Sequence, residues 1–186
     1  MSVGLRISYD EYARMVEDGA FDALRDKRIE LIHGELCSMT PPGPTHSGAV
    51  AKLTDWSTEP PVKKIAKARV QDVVAIPELD SAPQPDVFWV KRQFDDHQHP
   101  LPSDVLLLIE VADSSLDGDC GEKAELYAAA GIRDYWVVDL PNRVVHVFRE
   151  PKNDVYSQHT TAGMGDEICP LANPQYPLVI SRLLGP

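Results

Sequence analysis

A mixed α/β fold is what this sequence predicts, and three observations predict it. The first is Val105–Ile109, an uninterrupted apolar run closed by Glu110. A run this apolar suits a strand covered on both faces. The second is the stretch just beyond it: a segment with helix signals from Asp119 to Ala130, a stop at Gly131, and a second apolar run at Tyr135–Val138. Together they read strand, helix, strand. The third is length, since 186 residues suit one domain over 1–186 with one core.

Ser8–Asp18 reads as the first helix. Ser8 and Glu11 fit the S-x-x-E capping box, Gly19 ends the segment, and Tyr9, Tyr12, Ala13 and Val16 share one helical face. Arg28–Met39 alternates as two short strands turning at His33-Gly34, with Glu30 and Glu35 on either side of the turn. Thr40–Pro44, TPPGP, is a loop, because its prolines suit neither a helix interior nor a central strand. A second helix starts near Thr45 or Ser47, with Ala49, Val50, Leu53 and Trp56 on its buried side. Glu59–Lys67 contains Pro60-Pro61 and the densest basic patch, Lys63, Lys64 and Lys67. It reads as a solvated connection, with phosphate contact as the functional alternative. Arg69–Ile76 comes next as a strand, and Pro83–Val90 as a turn leading into another.

Phe94–Pro102 contains DDHQHP, a composition that suits a transition metal but sits in a Pro-bounded loop without a fixed scaffold. Asp119, with Glu122 three residues on, comes close to a capping box and marks the expected start of the central helix. Arg143–Arg149 and Val155–Thr160 alternate as strands, with a turn at Leu140-Pro141-Asn142 before the first. Pro177–Leu184 is a last strand or short helix.

Lys and Arg number 18 against 29 Asp and Glu, a net charge of −11. That argues against broad coating of nucleic acid, yet leaves room for a local basic groove or for acids gathered around divalent cations. Cys37, Cys120 and Cys169 are odd in number, far apart and without a C-x-x-C pair. They speak against a disulfide framework or thiolate zinc site and for a reducing compartment. The N-terminus lacks the apolar core of a signal peptide, and no apolar run approaches the roughly 18 residues of a membrane span. The expectation is a cytoplasmic protein with no membrane association. No G-x-S-x-G elbow, P-loop or G-x-G-x-x-G is present.

Three residues carry the chemistry. Asp86 opens one strand, Glu110 ends another, and Lys123 lies thirteen positions further on the following helix. A charge at the end of so apolar a strand needs compensation, because an unpaired buried charge is costly. Two carboxylates from neighbouring strands plus a backbone carbonyl make an oxygen half-shell for a hard divalent cation such as Mg2+. A nearby lysine orients water and offsets charge developing on phosphate. Such a site suits phosphodiester hydrolysis. Spacing alone leaves a second reading open, in which Glu110 and Lys123 form a structural salt bridge and Asp86 caps a turn.

PDVFWV, LIEVADSSL, the run Asp119-Cys-Gly-Glu-Lys123 and LYAAAGIRDYWVVDL together resemble the Uma2, or DUF820, family, which is similar to restriction-type endonucleases of the PD-(D/E)XK superfamily. RIELIHGEL and PPGPTHS extend the resemblance upstream, so it covers nearly the whole chain. It implies a restriction endonuclease-like core, a mixed β-sheet flanked by helices. Asp86 would match the acid of the PD half-motif and Glu110 that of the (D/E)XK half-motif. Ala112 stands where the superfamily usually has lysine, and in this family that lysine looks displaced onto the next helix, here Lys123. Glu30 would match an upstream acid, and the Val111 carbonyl would add a metal ligand. The chain departs from the commoner pattern at Asp113-Ser114, Cys120 and His33.

The function expected is therefore a metal-dependent endonuclease, using Mg2+ or Mn2+ on nucleic acid, DNA in the first instance, and acting as a homodimer by analogy. Two rivals stand beside it. One is a catalytically silent module of the same fold binding nucleic acid or a protein, which the acidic charge favours. The other is a metal-dependent hydrolase of small phosphate esters. Asp119, Lys123 and Tyr127 share a helical face, which would let the outer two hold Lys123, or else make a surface ion pair and a packed Tyr. His46 reads as a local hydrogen-bonder at a helix start, with proton shuttle or substrate contact as the functional alternative. Trp89 and Trp136 alternate with core residues and read as packing.

Overall fold

The structure, a computed structural model, describes residues 5–24, 27–39 and 41–185. Thr40, the first residue of the expected Pro-rich loop, lies outside the described residues, as do the first four on which part of the N-terminal reading rests. In chain order the elements are α1 (Tyr9–Glu17), β1 (Ile29–Ile32), β2 (Glu35–Ser38), α2 (Pro44–Ser57), α3 (Pro60–Lys63), β3 (Ala66–Val70), β4 (Val87–Lys91) and β5 (Val105–Ala112). Then come α4 (Leu116–Cys120), α5 (Glu122–Ala129), β6 (Asp134–Asp139), β7 (Val144–Lys152), β8 (Val155–Ala162), β9 (Glu167–Ile168), β10 (Leu178–Val179) and α6 (Ile180–Leu184).

Six strands form one mixed sheet in the order β3-β4-β5-β6-β7-β8. The β5–β6 pair is parallel and the other pairs are antiparallel. Parallel neighbours need a crossover, and α4 with α5 supplies it. One face of the sheet, with Trp89, Leu107, Ile109 and Trp136, packs against Leu53 of α2 and Leu183 of α6. The other, with Phe88, Leu108, Ala112 and Val137, packs against Leu126 and Tyr127 of α5. Both faces of β5 are covered, which is why its sequence is continuously apolar rather than alternating. Each fully buried large side chain contributes about 1.5–3 kcal/mol.

The side-chain period of two fixes where the acids point. Glu110 alternates with Leu108 and Ala112, so it faces α5. Asp86 alternates with Phe88 and Val90 and faces the same way. Because β4 and β5 run antiparallel with Val87 opposite Ile109, the entry to β4 and the exit of β5 meet at one end of the sheet.

The capping box of α1 forms as its sequence predicts: Ser8 N donates to Glu11 Oε2 at 2.9 Å and Glu11 N to Ser8 Oγ at 3.3 Å. The β1–β2 hairpin turns at His33 (φ 47°) and Gly34 (φ 79°). Positive φ at both central positions is the turn that matches strand twist, and Gly34 adopts it without steric cost. α2 begins at Pro44, slightly ahead of the expected start, because proline is well placed in a first helical turn. The C-terminal segment holds both expected alternatives, β10 followed by α6.

Two elements differ from expectation. The strand expected at Arg69–Ile76 lies earlier, at Ala66–Val70. It incorporates Lys67, whose Nζ donates to the Phe94 carbonyl at 2.7 Å and Asp96 Oδ2 at 2.7 Å. The chain leaves the sheet at Gln71 (φ 51°), whose N–H turns to the Pro85 and Asp86 carbonyls. The helix expected to start at Asp119 is instead two helices. α4 begins at Leu116, and the break falls at Gly121, where a Cβ would stand 2.6 Å from the Asp117 carbonyl oxygen. Asp119 is thus inside a helix rather than its cap. Among the described residues no helix is long and apolar enough to cross a membrane.

Candidate active site

The converging strand ends bring Asp86 and Glu110 into direct contact. Glu110 Oε2 accepts from the Asp86 N–H at 3.1 Å, and Asp86 Oδ2 accepts from the Val111 N–H at 3.0 Å. Lys123, in the first turn of α5, donates from Nζ to Glu110 Oε1 at 2.9 Å. On its other side the ammonium lies 3.2 Å from Glu30 Oε2, and Glu30 is anchored through Oε1 by the Gln84 N–H at 2.7 Å. All four residues singled out by the sequence are gathered and buried. A cleft of about 280 Å³ opens over the group, with Asp86, Glu110, Val111 and Asp119 on its walls, while Glu30 and Lys123 stand behind them.

Asp119 and Tyr127 do converge with Lys123, and the surface ion pair is ruled out by burial. Their hydrogen bonds go elsewhere, however. Tyr127 Oη donates to Glu110 Oε1 at 3.0 Å, and Asp119 Oδ2 accepts from Ser115 Oγ at 2.5 Å. Tyr127 therefore braces the carboxylate rather than the lysine, and Asp119 acts on Lys123 through its charge.

Three contacts to Asp86 have little or no sequence signal. His46 Nε2 lies 3.0 Å from Oδ2, Gln71 Nε2 donates to Oδ1 at 3.2 Å, and Arg28 Nη2 stands 3.7 Å from Oδ1. His46 had the hint of its place at a helix start after a Pro-rich loop, and its partner proves to be long-range rather than local. Arg28 and Gln71 are separated from Asp86 by chain that gives no spacing pattern.

The electrostatics follow from an excess of acid. Burial pushes the Glu110 carboxyl up to about 8, against the pull of Lys123. Burial also raises Asp119. Burial alone would lower Lys123, but Glu110, Glu30 and Asp119 together hold it above the usual lysine value, so it is an ammonium that donates. Asp86 is held low: burial opposes this, but His46, the Val111 N–H and Gln71 outweigh it. The hydrogen bond to Asp86 raises His46 in turn, against its own burial.

Two oxygens of this group keep room for a further partner. A carboxylate has about four acceptor positions. On Asp86 Oδ1 and on Glu110 Oε2 one protein hydrogen bond is made, which leaves each oxygen a further lone pair. The N–H and carbonyl of one strand residue project to the same side. Since the Val111 N–H points at Asp86, its carbonyl faces β4 too. Among the described residues no three His, Cys, Asp or Glu side chains are grouped so that they could hold a metal ion by themselves. What the protein offers is a half-shell, which suits an ion that retains several waters, as Mg2+ does.

The other candidates resolve as packing. Trp89 Nε1 donates to Ser57 Oγ and Trp136 Nε1 to Asp134 Oδ1, both at 2.8 Å and both buried. In the Asp/His loop, Asp96 is paired with Lys67 and Arg69.

Known proteins share this fold. The crystal structure of "a putative nuclease belonging to DUF820" from Anabaena variabilis superposes with a TM-score of 0.71, covering 96% of this chain and 97% of that one at 15% identity, which shows a shared fold. The type IIG restriction endonuclease BpuSI overlaps 70% of this chain and 16% of its own at 15% identity, with a TM-score of 0.44, too loose to carry weight. No curated protein matches the sequence. The sequence model of Uma2, described as "Putative restriction endonuclease", matches residues 9–175, and by that match the chain belongs to the Uma2 family.

Proposed function

We propose that the protein is a metal-dependent endonuclease that hydrolyses phosphodiester bonds of nucleic acid, DNA in the first instance, at Asp86, Glu110 and Lys123, with Glu30 as a supporting member. The observation that carries this reading is the meeting of Asp86 and Glu110 on a cleft wall, with Lys123 Nζ 2.9 Å from Glu110. Asp86, Glu110 and the Val111 carbonyl would hold Mg2+ or Mn2+. Such an ion supplies Lewis-acid polarisation of a phosphoryl oxygen and a lowered pKa for water.

The chain's own residues do the rest. Lys123 Nζ donates to Glu110 Oε1 at 2.9 Å and lies 3.2 and 3.4 Å from the two Glu30 oxygens, so it holds and neutralises these carboxylates from behind the cleft wall. Tyr127 and the Asp86 N–H fix the Glu110 carboxylate, so its oxygens meet substrate without reorganising. Cutting both strands of a duplex needs two such sites, and the proposal extends to a homodimer.

The net charge of −11 favours one rival, the silent binding module. Plasmid and a single-stranded DNA circle incubated with Mg2+ or Mn2+, with and without EDTA, separate the two. Cleavage of either that EDTA abolishes, and that falls at least about 100-fold in Asp86→Asn, Glu110→Gln and Lys123→Met, is the expected outcome. Both DNAs intact with every metal, together with no calorimetric metal binding, would leave the module as the reading.

A further inference from the structure

Beside the carboxylate cleft lies a second pocket, of about 480 Å³, between α1 and the start of β1. Its character is different. Tyr9, Tyr12 and Phe21 give it aromatic walls, with the Tyr12 and Phe21 rings 5.7 Å apart. Among the described residues Lys27 and Arg28 line it together with one acid, Glu17.

Arg28 lines both pockets. Its Nη2 is 3.7 Å from Asp86 Oδ1, beyond hydrogen-bond distance, and its Nη1 is buried with no hydrogen-bond partner among the described residues. A buried guanidinium N–H without an acceptor is costly, and the planar fork matches two phosphate oxygens. An orphaned donor at the junction of an acid-lined cleft and an aromatic pocket is thus placed for a phosphate whose base enters the aromatic side.

Building on the nuclease reading, we propose that this pocket receives one unstacked nucleobase of the substrate strand, while Arg28 grips the adjoining phosphate. The volume lies within the ordinary range of small-ligand pockets, and aromatic faces accept any base. The substrate class is therefore single-stranded nucleic acid, or a duplex with an unpaired base beside the scissile bond, because a paired base must first leave its stack.

The test uses the full chain with Ca2+ in place of Mg2+ and oligonucleotides carrying 2-aminopurine, either single-stranded, in a perfect duplex, or opposite a gap. Fluorescence of the single-stranded and gapped probes is expected to quench on binding, with affinity at least about tenfold tighter than for the perfect duplex. Phe21→Leu and, separately, Tyr9→Leu keep apolar bulk but remove an aromatic face. Each is expected to weaken the single-stranded probe by about tenfold and to raise KM for cleavage more than it lowers kcat. Arg28→Met should weaken every probe, and Arg28→Lys should restore only part. Equal affinity for perfect duplex and single strand, or unchanged binding in both aromatic variants, overturns the base pocket while metal-dependent cleavage still stands. Absence of all cleavage and binding overturns the nuclease reading and this inference with it.

Discussion

Glu110 and Asp134 are both carboxylates buried on adjacent strands of one sheet, each beside a cation, yet they are finished differently. Asp134 Oδ1 accepts from Trp136 Nε1 and Arg149 Nε, both at 2.8 Å, and Oδ2 from the Leu171 N–H at 2.7 Å and Arg149 Nη2 at 3.4 Å. Every acceptor position is used, and one acid faces one cation. Glu110 sits among Glu30, Asp86 and Asp119, with Lys123 as the cation it touches, and keeps a lone pair toward a cleft. Burial raises both carboxyls, so a displaced pKa alone does not tell them apart. What does is saturation: a filled one-to-one pair holds the fold together, whereas a surplus of acceptors beside a cleft is a place for a missing positive charge.

The contrast predicts different responses to mutation. The largest effect is expected at the saturated pair. Asp134→Ala strands Arg149 and should cost about 3–5 kcal/mol of stability, measured by urea unfolding, while Mg2+ binding by the folded fraction stays as in the parent. Loss of metal binding there would break the comparison.

At the unsaturated cluster the response depends on pH. Glu110 has a folded-state pKa of about 8, above its ordinary value. The folded form therefore favours the protonated acid. That contribution is full below about pH 4.5 and is lost as pH rises through about 8. Glu110→Gln removes this titration but sets an amide NH2 against one of the donors that Glu110 accepts, a pH-independent cost of about 1–3 kcal/mol. Its stability relative to the parent should therefore rise between about pH 4.5 and pH 8. Saturating Mg2+ should reduce that rise by stabilising the parent alone, by about 2.7 kcal/mol at a hundred times Kd. Thermal melts across pH, with and without metal, read both. A stability difference that does not change with pH would make this cluster as structural as the other.

The smallest effect sharpens the picture. Gln71→Met deletes a neutral donor to Asp86 and should cost about 1 kcal/mol while metal binding remains measurable by calorimetry. A collapse of binding would make Gln71 a positioning residue rather than one donor among several.

Much of this was legible in the chain. The unbroken apolarity of Val105–Ile109 announced a strand buried on two sides, and both core clusters confirm it. A carboxylate closing that run demanded a counter-charge, and Lys123 provides it. The S-x-x-E box, the His33-Gly34 turn and the strand pairs after Tyr135 are local signals, and they formed where they were written. What misled was equally local. Asp119 and Glu122 have the spacing of a capping box, but Gly121 breaks the helix between them and Asp119 turns inward to Ser115. Arg28, Gln71 and the partner of His46 gave no adequate signal, because no period links them to Asp86.

The sequence by itself determined which faces are buried, where strands and most helices lie, and which charges need compensation, since these depend on residue type and short-range spacing. Only the tertiary structure decided that Tyr127 holds Glu110 instead of Lys123, that Glu30 closes the lysine from behind, and that Arg28 stands between two pockets. Those facts depend on how distant segments meet when β4 and β5 converge and the N-terminal hairpin lies against them, and a side chain's partner across such a junction is set by packing in three dimensions rather than by its neighbours along the chain.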